Sequence, residues 1–269
     1  MLTLTLKDQP HVPLEAEVIS PDVLAKLSLD EIAASTLYLG KRRLRLDDFF
    51  KIEGEPGDTI ELHGDLHQVK WIGRGMTFGR IVVHGNVGMH LGAHIKGGAV
   101  EVEGDAGDWI GAEMTGGFIR VGGNAGGQVG AAYRGSLAGM RGGAIVIGGG
   151  AGLEVGMRMR RGTIVIGGPC KDFAGLQMKG GTIVLAQGAE IRTGAWMMRG
   201  TIISLAPLKL LPTFAFDCSH NPVFLSVYAQ RLREWGVALP YQPRDGRYDS
   251  YSGDASVPGK GEILIWRAN

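Results

Sequence analysis

From about residue 79 onward, apolar and polar positions alternate in short bursts, and the bursts recur. A glycine opens each one, at Gly79, Gly98, Gly117, Gly143, Gly162, Gly181 and Gly200; the spacings are 19, 19, 26, 19, 19 and 19 residues. Two places after each glycine stand Ile81, Val100, Ile119, Ile145, Ile164, Ile183 and Ile202, and four places after stand Val83, Val102, Val121, Ile147, Ile166, Leu185 and Ser204. β-Branched residues at spacing two predict a strand with one buried face. A fixed period near twenty residues is the mark of a stacked repeat.

Two more columns complete the pattern. Small residues stand eight places after the glycine (Val87, Ala106, Ala125, Ala151, Cys170, Ala189), and long flexible ones sixteen places after (Ile95, Met114, Met140, Met159, Met178, Met197). The 26-residue spacing carries a seven-residue insertion, which the columns place between Gly130 and Met140 and which reads best as Tyr133–Gly139. The methionine column reads as core filling, since methionine adapts to irregular gaps. The expected fold is mainly β: a right-handed parallel β-helix of about seven coils, with glycine corners and coils that bury their apolar edges only against neighbours.

The repeat divides the chain into three parts. Residues 1–58 form a non-repetitive capping segment, 59–205 the β-helix and 206–269 a C-terminal helix, loop and strand. Ile60 and Leu62 precede Ile81 and Val83 by 21 residues, so the first coil is two residues longer. In the cap, Leu2–Leu6 reads as an edge strand. Ser28 with Glu31 reads as a capping box opening a short helix. After the repeat, Asn221-Pro222 reads as the start of a helix that Gly236 ends. Val223, Phe224, Val227, Tyr228 and Leu232 give that helix an apolar side. Residues 240–261 read as a loop and 262–267 as a last strand.

Composition adds exclusions. Glycine is 45 of 269 residues, without a collagen period, and the net charge is +1, which favours neither nucleic acid nor membrane as partner. No apolar run is long enough to span a bilayer. The opening MLTLTLK lacks a signal-peptide core, so a cytoplasmic location is expected. The two cysteines, Cys170 and Cys218, form no CxxC framework, and Cys170 falls in the small inward column.

Candidate chemistry is sparse. Gly73-x-Gly75 and Gly253–Lys260 each miss a nucleotide-loop pattern. No serine has a nucleophile-elbow setting, and no catalytic residue is predicted. Five of the seven histidines lie between His63 and His94. His63 and His84 share one repeat position, which makes them neighbours and the one metal candidate, although an outward-facing surface pair is the ordinary reading.

Charge is more telling. Arg141, Arg160 and Lys179 stand seventeen places after their glycines, with Arg161 next to Arg160. Between Arg134 and Arg199 nine basic residues face three acidic ones, whereas 47–65 holds seven acids against Lys51. A solvated face or a docking edge for an acidic partner or polyanionic ligand would both look so. Three places after the last four glycines stand only Val146, Val165, Val184 and Ile203. This apolar strip needs a cover. A partner subunit is the expected cover and the helix at 222–235 the alternative.

The GxxGxxxGxxMxGG repeat over 60–205 resembles the β-helical domain of glutamate synthase. With the tail Gly253-Asp254-Ala255 and Gly259-Lys-Gly-Glu-Ile-Leu264, the chain resembles more closely the C subunit of formylmethanofuran dehydrogenase and of its bacterial counterpart, the formyltransferase/hydrolase complex. The resemblance implies a non-catalytic β-helical scaffold in one-carbon metabolism. The implied partners are an amidohydrolase-type subunit with metal ions, a formyltransferase subunit that uses tetrahydromethanopterin, and a further homologous subunit. It also implies a methanofuran-type cofactor that this chain does not bind alone. An archaeal tungsten or molybdenum complex, a free-standing glutamate synthase-like module and an independent β-helix enzyme are the alternatives. Arginine outnumbers lysine 18 to 10, which leans towards a bacterial source.

Overall fold

A computed structural model describes residues 1–240, Gln242 and residues 244–269. The N-terminal segment holds β1 (Leu2–Leu6), β2 (Leu14–Glu15), α1 (Pro21–Leu24), α2 (Leu29–Ala33), β3 (Thr36–Leu39), β4 (Arg42–Arg45), α3 (Leu46–Phe49) and β5 (Phe50–Gly54). Next come β6 (Thr59–His63), β7 (Val69–Lys70), β8 (Arg80–His84), β9 (Ala99–Val102), β10 (Phe118–Val121), β11 (Arg141–Ile147), β12 (Arg161–Ile166), β13 (Lys179–Leu185) and β14 (Arg199–Ser204). The chain ends with β15 (Ala215–His220), α4 (Leu225–Glu234), β16 (Gly246–Gly253) and β17 (Gly261–Ala268).

The protein is mainly β, built on one large, mostly parallel sheet. Strands β6 and β8 to β14 pair in parallel in chain order, and β17 adds a further parallel rung to β14. Register follows the apolar columns: Ile81 faces Val100, Ile119 faces Ile145, and Ile164 faces Ile183. A second ladder runs alongside as parallel bridges from Leu66 through Val87, Ala106, Ala125, Ala151 and Cys170 to Ala189. Met114, Met140, Met159, Met178 and Met197 are all fully buried between the ladders. This is a β-helix-like arrangement. Burial pushes the Cys170 thiol up to about 12, reinforced by the Glu190 carboxylate, so it is an inert core group.

Glycine is required where successive rungs approach most closely. Gly181 has φ +90°, and a Cβ there would lie 2.7 Å from Met159 Cε and 3.0 Å from the Gly162 carbonyl oxygen. Any side chain at that corner meets both left-handed backbone strain and an occupied core.

The N-terminal segment closes one end. The Ser28–Glu31 capping box forms as expected. β1, however, is an interior strand, parallel to β6 on one side and antiparallel to β5 on the other. Leu2 and Leu4 alternate into the same core as Ile60 and Leu62, which supplies a better fit than a solvated edge. A four-stranded sheet, β4-β3-β2-β7, packs beside it.

The C-terminal part differs more from expectation. Tyr241 and Pro243 lie outside the described residues, but the rest of the expected loop contains β16, sandwiched antiparallel between β15 and β17. Asp249 and Ser250 are buried on it, and Asp249 accepts from Ser219 Oγ at 2.5 Å and pairs with Arg267 at 2.6 Å. The helix starts at Leu225 rather than Pro222. Asn221 Nδ2 donates to the Gly246 carbonyl instead of capping it. The buried helix face is Leu225, Ala229 and Leu232; Leu232 lies on the expected side, whereas Val223 and Val227, expected there too, are exposed.

Candidate interaction surface

The apolar strip of Val146, Val165, Val184 and Ile203 has an occupant. Leu225, Ala229 and Leu232 of α4, together with Leu239, Tyr248 and Leu264, pack over it as one buried cluster. Thr182 donates to or accepts from Tyr228 across 2.9 Å, and Arg120 Nη1 donates to the Trp235 carbonyl at 3.0 Å. The expected partner cover for this strip is therefore replaced by the chain's own helix. Val237, Leu239, Tyr248 and β17 supply the area that a ten-residue helix lacks.

The basic edge lies at the start of the later strands. Arg141 and Arg161 stand opposite each other across β11 and β12, and Lys179 and Arg199 across β13 and β14. These four and Arg160 are exposed. Adjacent rungs are about 4.8 Å apart, so like charges are stacked at close range. Several other cations have counter-charges: Arg80 pairs with Glu101, Lys171 with Glu190 and Arg192 with Asp172. Among the described residues, Arg141, Arg160, Arg161, Lys179 and Arg199 have no ion pair and no side-chain hydrogen bond. That is the arrangement expected of a surface whose anions come from elsewhere.

A groove of about 450 Å³ opens beside this edge, lined by Leu137, Arg158, Gln177, Lys179, Trp196, Met198 and Val257. Leu137 is 71% exposed, Trp196 49% and Met198 39%. A cationic edge flanking exposed Leu, Trp and Met is the composition of an interface centre rather than of an ordinary solvated face. The sequence showed the charges but not the groove, which arises where the insertion meets the turn that carries Arg158, itself bonded to Gln177.

The insertion is held in place at both ends. Arg158 Nη1 donates to the Ser136 carbonyl at 2.5 Å. The Tyr133 amide donates to Glu113 Oε1 at 3.0 Å, and the Tyr133 hydroxyl lies 2.9 Å from His90 Nδ1. The Tyr133 ring stacks on Trp109 with centroids 4.8 Å apart. Burial lowers the His90 pKa to about 4, aided by Lys70 and Arg74 and opposed by Asp108. Burial lowers His94 too, against the pull of Glu113. Burial raises the Tyr133 phenol.

The five clustered histidines thus separate into groups. His90 and His94 belong to the Tyr133 anchor. His67 pairs with Asp65. His63 and His84 stack on each other as adjacent outward residues, with centroids 4.5 Å apart, and Glu61, not singled out from the sequence, stands beside both.

No family model matches the chain. Among solved structures, one from the formyltransferase/hydrolase complex of Methylorubrum extorquens in complex with methylofuran is 34% identical. The match covers 98% of both chains with a TM-score of 0.91. Curated relatives match locally. The C subunit of the tungsten-containing formylmethanofuran dehydrogenase 2 of Methanothermobacter wolfeii is 46% identical over 97 residues, 34% of this chain and 36% of the relative. The C subunit of the molybdenum-containing formylmethanofuran dehydrogenase 1 of Methanosarcina barkeri is 39% identical over 85 residues, 30% and 28% respectively. The aligned stretch thus spans about a third of the curated relatives' length. A likeness this extensive to the solved chain, joined to these local matches, means that the chain belongs to the family of formylmethanofuran dehydrogenase C subunits.

Proposed function

We propose that this chain is the non-catalytic scaffold subunit of a bacterial-type formyltransferase/hydrolase complex acting on formylmethanofuran in one-carbon metabolism. The observation that carries this is the end-to-end likeness to a chain of such a complex, 98% in both directions. An archaeal tungsten- or molybdenum-type complex fits less well, because those relatives match over only 36% and 23% of their length.

The scaffold on this reading is a right-handed parallel β-helix of about seven coils over 59–205. Residues 1–58 cap it, and 206–269 form the C-terminal unit that covers its apolar strip. Partners are an amidohydrolase-type subunit with metal ions, a formyltransferase subunit and a further homologous subunit. The cofactor is of the methanofuran type, as in the solved complex. Arg141, Arg160, Arg161 and Lys179, uncompensated within the chain, receive carboxylates of a partner or of the cofactor's tail, and the adjoining groove takes apolar side chains.

Tagged chain purified from its native cells tests this. Stoichiometric co-purification of a hydrolase-type and a formyltransferase subunit is the expected result. A chain that elutes alone, with complex activity intact in its absence, overturns it.

A further inference from the structure

Three side chains away from the basic edge converge at the start of the parallel series. Glu61 and His63 stand two residues apart on β6, so both project from the same face of the strand. His84 stands directly opposite His63 on β8. The Glu61 carboxylate lies 3.6 Å from His63 Nε2 and 3.8 Å from His84 Nε2. The donor atoms of all three lie within 4.8 Å of one another.

A fourth residue completes the arrangement. Glu103 continues the ladder one rung beyond β8, its amide donating to the Val83 carbonyl at 3.0 Å. Its Oε1 is 2.9 Å from His84 Nδ1. A carboxylate at that position holds the proton on Nδ1. Nε2 is then left with a free lone pair directed towards Glu61. Metal-ligating histidines are oriented and made more basic by this same kind of outer carboxylate.

The donor set selects the ion. Two imidazole nitrogens and one carboxylate suit zinc and its first-row neighbours, whereas calcium and magnesium require oxygen ligands. Bonds of about 2.0–2.1 Å around a tetrahedral ion put donor atoms about 3.3 Å apart. The two Glu61 contacts exceed this by a few tenths of an ångström. The His63–His84 edge closes by tilting two partly exposed rings, now 15° from parallel. The columns that carry His84 and Glu103 continue as Gly122, Gly148 and Gly167, so no donor set of this kind recurs further along.

We infer that Glu61, His63 and His84 bind one divalent transition-metal ion of the zinc class, with Glu103 positioning His84. The ion clasps β6 to β8 and keeps a position open for water or for a ligand from a neighbouring molecule.

The test is titration of the chelator-stripped full-length chain with Zn²⁺ by calorimetry and with Co²⁺ by visible absorption. One equivalent is expected to bind. His63→Ala and His84→Ala should each weaken Zn²⁺ at least tenfold. Glu103→Gln should weaken it about tenfold at unchanged stoichiometry. Zn²⁺ should raise the melting temperature of the parent chain but not that of His84→Ala. His67→Ala, which removes a neighbouring imidazole outside the set, should bind like the parent. If an alanine variant fails to fold, His63→Gln and His84→Gln carry the same comparison. Absence of saturable one-equivalent binding, parent-like affinity in a folded His63/His84 double variant, or an equal loss in His67→Ala each overturns the inference.

Discussion

Trp71 and His90 lie face to face, with ring centroids 4.0 Å apart and planes 8° from parallel. Both residues have left-handed backbone, φ 67° and 65°, as do Trp109, Gln128, Glu154, Phe173 and Arg192, the residues in the same column on later coils. Each such residue carries a conformational cost of about 1 kcal/mol or more. The cost is tolerated because amides of the column bond to the next rung. The His90 amide donates to the Asp108 carbonyl and the Trp109 amide to the Gly127 carbonyl, both at 2.9 Å.

The stack makes the fold sensitive to acid. His90 titrates near 4 in the folded chain, below its ordinary value of 6.5. Between those values the unfolded chain binds the extra proton, so stability is complete above about pH 6.5 and falls as pH drops towards 4. Screening at this half-buried ring leaves an effect on the order of 1–2 kcal/mol. Denaturant melts at pH 7 and pH 4.5 should show that loss in the parent, and His90→Phe should reduce it.

Met159 and Gly181 form a lock between rungs. Met159→Ala removes a fully buried side chain and should cost roughly 2–5 kcal/mol. Gly181→Ala drives a methyl group into Met159 Cε and should cost about 1–3 kcal/mol from crowding, besides its backbone strain. The double variant should be more stable than the sum of the two losses predicts, because the cavity accepts the methyl group. A chemical-denaturation cycle measures this coupling, and strict additivity would refute it.

Val165 tests the helix cover. It is 1% exposed beneath α4. Val165→Asp should destabilise the isolated chain by several kcal/mol, since a carboxylate would be buried without a partner. Val227→Asp, on the exposed face of the same helix, should change stability by less than about 0.5 kcal/mol. Thermal melts of the two variants alone decide between the helix cover and a cover by another subunit.

Charge reversal tests the basic edge. Arg160→Glu with Lys179→Glu should leave the melting temperature of the isolated chain unchanged or slightly raised, because stacked repulsion is relieved. Complex formation should weaken, and the weakening should be greatest at low salt. Sedimentation analysis over a salt series reads both. Unaltered assembly at every ionic strength would refute the proposed docking role.

What the sequence disclosed was whatever repeats. The Ile/Val and Met columns predicted register and burial because similar surroundings recur on successive parallel rungs. Cys170 was placed by its column alone, and Ser28 with Glu31 is a local motif that needs no tertiary context. Features settled by single long-range contacts were not legible. β16 carries Asp249 and Ser250, which look like loop residues until Arg267 and Glu262 pair with them. The buried side of α4 depends on the strip it packs against, which takes Leu225 and Ala229 in place of Val223 and Val227. Glu61 gained significance only from being two residues before His63 on a strand whose neighbour holds His84.

The antiparallel edge of the large sheet, where β5 pairs with β1, has a consequence for growth. A pile of near-identical parallel rungs has no intrinsic length: each exposed end is a template for the next copy, and head-to-tail addition would generate an open filament. β5 runs against the parallel series and presents an incoming rung at that end with the wrong polarity. The β5 strand is therefore a chain terminator in the polymer sense, and removing it should convert a discrete particle into a species that polymerises with concentration.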